Sequence, residues 1–272
     1  MTDSGNGTHT GLSSDKEGSI VQRSAVAIEL DEGSAVKRIG LLVLSTDLTY
    51  ERDFQRICSP DRVGLYVNRV LFENPTTPEN LRRMLPRIRD AAKLVADGSD
   101  VDAMCFGCTS ATVVIGDQPI EDAIHEAKPG VPVVTPSAAG AVGLKAIGAK
   151  RISILTPYTI EVSTPFADYF RSHGFEVLNL ECLGLLDDRE IARVSRKTIL
   201  DAAKMAAAPE ADAIFLSCTA LRAVECIEEV EKFVGKPAVS SNQASAWLAM
   251  RHVGIDDSIP GFGKLLTLGK PE

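Results

Sequence analysis

The chain has 272 residues, 44% of them hydrophobic, enough core for one large or two modest domains, and a formal charge of −8 that disfavours binding through phosphates. It shows no basic stripe, no uninterrupted apolar run of about 18 residues and no charged-then-apolar export pattern, so no nucleic-acid or membrane partner is expected, and the expected location is the cytoplasm. Its six cysteines, in a long core-rich chain without an export signal, read as thiols rather than a disulfide framework.

Residues 1–36 are rich in Gly, Ser, Thr, Asp and Glu without sustained periodicity and read as a flexible leader, within which SIVQRSAVAIEL could pair as an added strand. The folded part begins at Lys37-Arg38. IGLLVLS is a buried-strand run closing on Ser45, Thr46 and Asp47, and 49–57 has helical spacing. A strand at 63–71, a loop through Asn74-Pro75-Thr76-Thr77 and a helix over 78–97 follow, with Thr77 placed as its N-cap. VDAMCFGCTSATVVIG then gives a strand ending at Cys108 and a helix running to about residue 128. VPVVTPSAAGAVGLKAIG supplies a strand at 131–135 and a helix of small residues.

At Lys150-Arg151 the order starts again. RISILTPYT parallels RIGLLVLST, a strand at 176–182, a loop at 184–188 and a helix at 190–208 follow, and ADAIFLSCTALRAVEC repeats the Cys-Thr step with Cys218 in the place of Cys108. KPAVSSNQASAWLAMRHVG closes the second cycle. The matched segments are offset by roughly 105 to 113 residues, too long for a solenoid repeat. This predicts an α/β fold of two pseudo-symmetric Rossmann-like lobes with mainly parallel sheets and a site in the cleft between them. The lobes are read as 37–135 with about 250–272, and 136–249.

Either cysteine alone reads as an ordinary buried thiol. As a pair at equivalent strand ends, each followed by Thr, Cys108 and Cys218 point to a shared crevice outside the carboxyl ends of the strands, where open α/β sheets bind ligands. Each is expected to stand just before a helix, where free N–H groups and the positive end of the dipole favour a thiolate. The same N–H groups, with the hydroxyls of Thr109, Ser110 and Thr219, would cradle a substrate carboxylate, although N-capping is the ordinary role of such residues. Ser45, Thr46 and Asn242 are further turn residues expected to face the cleft. Cys105 lies within its strand and no second metal-ligand pair accompanies the C-x-x-C spacing, so zinc is disfavoured. His125, His173 and His252 fall near predicted helix ends, where such a residue ordinarily complements the dipole, and His9 accompanies no strand-end motif. No nucleotide-binding glycine motif, serine-hydrolase elbow or committed pyridoxal-phosphate lysine is present, and no cofactor is expected.

With these two Cys-Thr steps and polar strand-end turns, the sequence resembles the aspartate/glutamate racemase superfamily. Through GCTSAT, LTPYT and SSNQASAW it resembles the branch of maleate cis–trans isomerases, arylmalonate decarboxylases and ectoine-utilisation EutA-type proteins, EutA most of all, over about residues 37–258. The resemblance implies cofactor-free chemistry on a small carboxylic acid, with Cys108 and Cys218 acting on opposite faces of one carbon. It implies that Tyr158 donates its hydroxyl to a carboxylate or enediolate oxygen. In the decarboxylases the first-lobe cysteine position is glycine, so Cys108 argues for a two-thiol isomerase or racemase. Where maleate isomerases carry an Asn that holds a carboxylate, this chain has Asp47. A carboxylate there suits an ammonium group or the acceptance of a proton from a cysteine, and makes an amino acid the expected substrate, with a role in ectoine breakdown. The alternatives are maleate isomerisation proper, decarboxylation, or stoichiometric ligand binding without turnover. Sheet edges and Ala-rich helices are compatible with a homodimer.

Overall fold

Strand β1 (Lys37–Leu44) is continuous hydrophobe because it has a neighbour on each edge and helices on both faces, the situation in which a parallel strand loses its alternation. The structure, a computed structural model, describes residues 20–30 and 36–270. After β1 come α1 (Tyr50–Ile57), β2 (Val63–Val70), α2 (Pro78–Arg82), α3 (Leu85–Lys93), β3 (Ala103–Gly107), α4 (Thr109–Ile115), α5 (Asp117–His125), β4 (Val133–Val134) and α6 (Pro136–Ala146). The second half repeats the scheme with β5 (Arg151–Tyr158), α7 (Ile160–Ser172), β6 (Glu176–Leu185), α8 (Asp188–Ile191), α9 (Arg196–Ala206), β7 (Ala213–Leu216), α10 (Ile227–Val234), β8 (Ala238–Ser240) and α11 (Ser241–His252). Two parallel four-stranded sheets result, ordered β2-β1-β3-β4 and β6-β5-β7-β8, as the repeat predicts. No helix among the described residues is long and apolar enough to cross a membrane.

This strand order places the functional turns. β1 is followed by a neighbour on one side, β2, and the chain then crosses to its other side, β3, so a crevice opens between the carboxyl ends of β1 and β3. The Ser45–Asp47 turn and Cys108 stand at those two ends. The equivalent switch in the second sheet lies between β5 and β7, whose ends carry Tyr158 and Cys218.

Small residues allow the two halves to come together. Helix α6 packs on β7 and β8 of the other sheet, and a Cβ on Gly140 would stand 2.5 Å from Cε2 of Phe215. Helix α11 in turn packs on α6, α1 and β3, with Trp247 fully buried. Arg251, 1% exposed, ties the tail down by donating to the carbonyls of Leu268, Ile255 and Asp257.

Several expected elements are subdivided. The helix over 78–97 breaks after Arg82 because Pro86 has no N–H for the Arg82 carbonyl and its ring crowds that position. The helix after Cys108 breaks at Gly116, which takes φ +100°, and that after β6 is split into α8 and α9. The strand expected at 131–135 shrinks to Val133–Val134, whereas β6 runs on to Leu185. The proposed added strand is not formed: residues 20–30 have no regular structure and are exposed, and the rest of the 1–36 leader, except Val36, lies outside the described residues.

Candidate active site

Cys108 is the N-cap of α4. Its backbone is extended, and its sulfur accepts the Ala111 N–H at 3.4 Å and lies 3.6 Å from the Ser110 hydroxyl. Gly107 before it has no room for a side chain, since a Cβ would meet the Tyr50 ring at 2.9 Å and the Leu42 carbonyl at 3.0 Å. Cys218 is built differently. No α-helix follows it at once, so the expectation of two matched helix N-termini is corrected: an irregular turn leads to a 3-10 turn at Ala223–Cys226. Cys218 itself takes φ +96°, a conformation that L side chains seldom adopt and that concentrates at functional sites. Its N–H donates to the Ser241 hydroxyl at 3.1 Å, which holds the strained turn.

The two turns are fastened to each other. The Thr109 hydroxyl donates to Ser241 Oγ at 2.9 Å, and the Thr219 hydroxyl donates to the Gly107 carbonyl at 3.1 Å. Ser137 donates to the Thr109 carbonyl and, at the corresponding place in the other half, Asn242 Nδ2 donates to the Thr219 carbonyl. Asn242 also donates to Asp53 at 2.8 Å. The hydroxyls of Thr109 and Thr219 and the Asn242 Nδ2 thus hold the thiol turns, while the Thr219 hydroxyl also acts on Asp47 and Asn242 Oδ1 has no partner among the described residues. Ser45 is exposed and its oxygen accepts the Phe72 N–H, while the Thr46 hydroxyl donates to Asp188 at 2.8 Å.

Cys108, Cys218, Asp47, Tyr158 and Asp188 form one cluster, each with at most 5% of its surface exposed. The Tyr158 hydroxyl and the Ala220 N–H face the Cys218 sulfur and favour its anion, and Tyr158 also feels Cys108. Asp188 and Asp47 each act electrostatically on both sulfurs. Burial, reinforced by Asp188, pushes Cys108 up to about 12, and the same two causes push Cys218 well above an ordinary thiol. The Ala111 N–H at the start of α4 and the Ser110 hydroxyl favour the Cys108 anion, and burial with Asp188 outweighs them. Asp47 Oδ1 accepts the N–H groups of Thr49 and Tyr50 at 2.7 and 2.8 Å and its Oδ2 makes no hydrogen bond; burial raises its pKa, outweighing these N–H groups and the nearby Thr219 hydroxyl. Burial and then the Asp47 charge raise Asp188 to about 7.

The arylmalonate decarboxylase family model matches residues 72–266. The chain belongs to the arylmalonate decarboxylase family. Among curated members and relatives, the maleate isomerase of Nocardia farcinica is 26% identical over 241 residues, covering 85% of this chain and 96% of that protein. The arylmalonate decarboxylase of Bordetella bronchiseptica is 36% identical over 139 residues, 50% of this chain and 58% of that one. The maleate isomerase relative supports reading this family member as an isomerase. Among solved structures, Pseudomonas putida maleate isomerase with maleate superposes with a TM-score of 0.80 at 24% identity, covering 87% of this chain and 100% of that one. A Nocardia farcinica variant carrying a covalently bound succinylcysteine intermediate gives 0.80 at 23% identity, covering 85% and 98%. Both show the shared two-lobed fold. A liganded double mutant of arylmalonate decarboxylase gives 0.73 at 27% identity, covering 85% and 98%.

Sequence reasoning missed Asp188, Ser241 and Asp53. Asp188 follows β6 at the same sheet end as Cys218, and that strand-end position was its signal. Ser241 and Asp53 act through contacts 132 and 189 residues away in the chain, with Thr109 and Asn242; Ser241 falls within the SSNQASAW motif, whereas no local pattern marks Asp53.

Proposed function

We propose that this chain is a cofactor-independent two-cysteine isomerase or racemase acting on a small carboxylic acid that carries an ammonium group. The observation that supports it is the common cluster: two thiols from equivalent strand ends feel the same two carboxylates and the same tyrosine. In the racemising form, one sulfur as thiolate takes the proton from the carbon next to the carboxylate. The C–H bond breaks, an S–H bond forms, and the electron pair passes into an enediolate. The other thiol returns a proton on the opposite face and is left as the thiolate for the reverse direction. Each sulfur has one hydroxyl and one backbone N–H that favour its anion, Ser110 and Ala111 at Cys108 and Tyr158 and Ala220 at Cys218, so either can act as the base in one direction, as two-base racemisation requires. Asp47, with one oxygen free, supplies a place for the proton that Cys218 must shed, or for the substrate ammonium.

The second reading is cis–trans isomerisation, favoured by the succinylcysteine of the Nocardia relative. There a thiolate would add to an alkene carbon, the neighbouring carbon would take a proton, the single bond would rotate, and elimination would restore the alkene. Cys108 in place of a glycine speaks against decarboxylation. The EutA-type character of the GCTSAT, LTPYT and SSNQASAW motifs supports ectoine breakdown, whose ring-opened products are amino acids, as the setting.

The test is incubation in heavy water with candidate amino and hydroxy acids, following exchange at the carbon beside the carboxylate by NMR. Exchange with the intact chain, and its loss in both Cys108→Ser and Cys218→Ser, is the expected result. Full turnover in either variant would end the two-thiol reading, carbon dioxide release would favour decarboxylation, and stoichiometric binding without exchange or isomerisation would leave a binding protein.

A further inference from the structure

We infer that Asp188 is a specificity-determining residue that joins Asp47 across the cleft in a carboxylate clamp for a cationic nitrogen of the substrate, admitting amino or amidine acids and rejecting dicarboxylates. The inference rests on the reading above for where substrate lies, but on separate observations. Asp47 comes from the turn after β1 in the first half and Asp188 from the turn after β6 in the second. They are 1% and 5% exposed, and the charge of Asp47 is felt at Asp188.

The hydrogen bonds show what is left over. On Asp188, Oδ2 accepts the Thr46 hydroxyl at 2.8 Å and the N–H donates to Asn74 Oδ1 at 3.4 Å, while Oδ1 receives no hydrogen bond from the described residues. On Asp47, Oδ1 is taken by two backbone N–H groups, and Oδ2 is buried without a hydrogen bond, with the Thr219 hydroxyl, which donates to the Gly107 carbonyl, near enough to favour the anion. The cation that acts on Asp47, Arg69, spends its donors on the Leu44 and Asp47 carbonyls and on Glu51. Asp47 Oδ2, which is buried, and Asp188 Oδ1 are thus the carboxylate oxygens left without a hydrogen bond from the described residues, and both groups act electrostatically on the two sulfurs. A buried carboxylate without a partner is costly, and the group that answers two of them at once is a cation rich in N–H, an ammonium or an amidinium. A second substrate carboxylate would add like charge in the same dry space.

Charged thiol reagents test this without any turnover. 2-Aminoethyl methanethiosulfonate and its anionic 2-sulfonatoethyl counterpart each form a mixed disulfide with a thiolate and release methanesulfinate, and peptide mass mapping reads the rate at each cysteine. Cys182, partly exposed on β6 and outside the cluster, is the internal reference. At Cys108 or Cys218 the cation-to-anion rate ratio, relative to that at Cys182, is expected to exceed one by at least about ten-fold. It should fall by about ten-fold in Asp188→Asn and be restored in Asp188→Glu, with circular dichroism checking the fold. A ratio unchanged in Asp188→Asn, a preference for the anion, or failure of the cationic reagent to reach either thiol would overturn the clamp. Because no catalysis is read, such a result is distinct from a failure of the two-thiol mechanism, which the serine variants judge.

Discussion

Each thiol sits where burial and acidic neighbours oppose its ionisation, so reactivity depends on the few groups that favour the anion. With Cys108 pushed up to about 12 and Cys218 also raised, alkylation by neutral iodoacetamide should climb steadily from pH 7 to 10, because the thiolate fraction grows with each unit below the pKa. A rate already level by pH 8 would contradict this. Tyr158→Phe removes the hydroxyl facing Cys218. Turnover is expected to fall by about 10²-fold, the order found for loss of one preorganised donor, with the alkylation profile of Cys218 moving to still higher pH. The unusual backbone of Cys218 is held by Ser241, whose oxygen takes both the Cys218 N–H and the Thr109 hydroxyl. Ser241→Ala leaves two buried donors unanswered and should cost on the order of 1–3 kcal/mol in a denaturant titration, with activity lost disproportionately.

Among elements, the tightest demand falls on the end of β3. Gly107→Ala would drive a methyl group into the Tyr50 ring and the Leu42 carbonyl, and α1 or β3 must shift to admit it. Overpacking of this kind costs about 1–3 kcal/mol, and because residue 107 precedes Cys108 the shift would also misplace the sulfur. The expected outcome is a lowered Tm together with loss of turnover. A variant as stable and active as the parent would show that this junction yields. The breaks at Pro86 and Gly116 have a related logic: each ends a helix locally, and the short α4 that Gly116 closes is capped at its other end by Cys108.

At the scale of the whole molecule, the halves are joined by buried polar contacts whose charge state matters. Asp53, raised to about 7 chiefly by burial, accepts a bond from Asn242, which in turn holds the Thr219 carbonyl. A carboxyl whose folded pKa is raised binds a proton more tightly folded than unfolded, so stability falls as pH climbs from about 4 to about 7 and levels off above that. Asp188 titrates over the same window in the same direction. Asp53→Asn should therefore flatten the pH dependence of Tm and leave the variant more stable than the parent at pH 8. An identical decline in both proteins would remove Asp53 from the linkage. Because the amide can both accept from and donate to Asn242, turnover should survive this change better than Asp53→Ala.

What could be read from the sequence was whatever repeats or runs locally. Continuous apolar runs closing on polar turns marked the strands, the duplicated Cys-Thr step marked the two lobes and paired Cys108 with Cys218, and the LTPYT motif brought Tyr158 forward. The strands and the two-lobed fold were legible because a buried parallel strand and its carboxyl-end turn are determined within a short stretch of chain. The direction in which the thiols titrate, the commitment of Thr109, Thr219 and Asn242 to bracing, and the presence of Asp188 beside Asp47 were decided only by the tertiary structure. Each depends on desolvation and on partners more than 20 residues distant in the chain, as in the 142-residue span from Thr46 to Asp188. Burial and long-range pairing are properties of packed halves, and no local pattern encodes them.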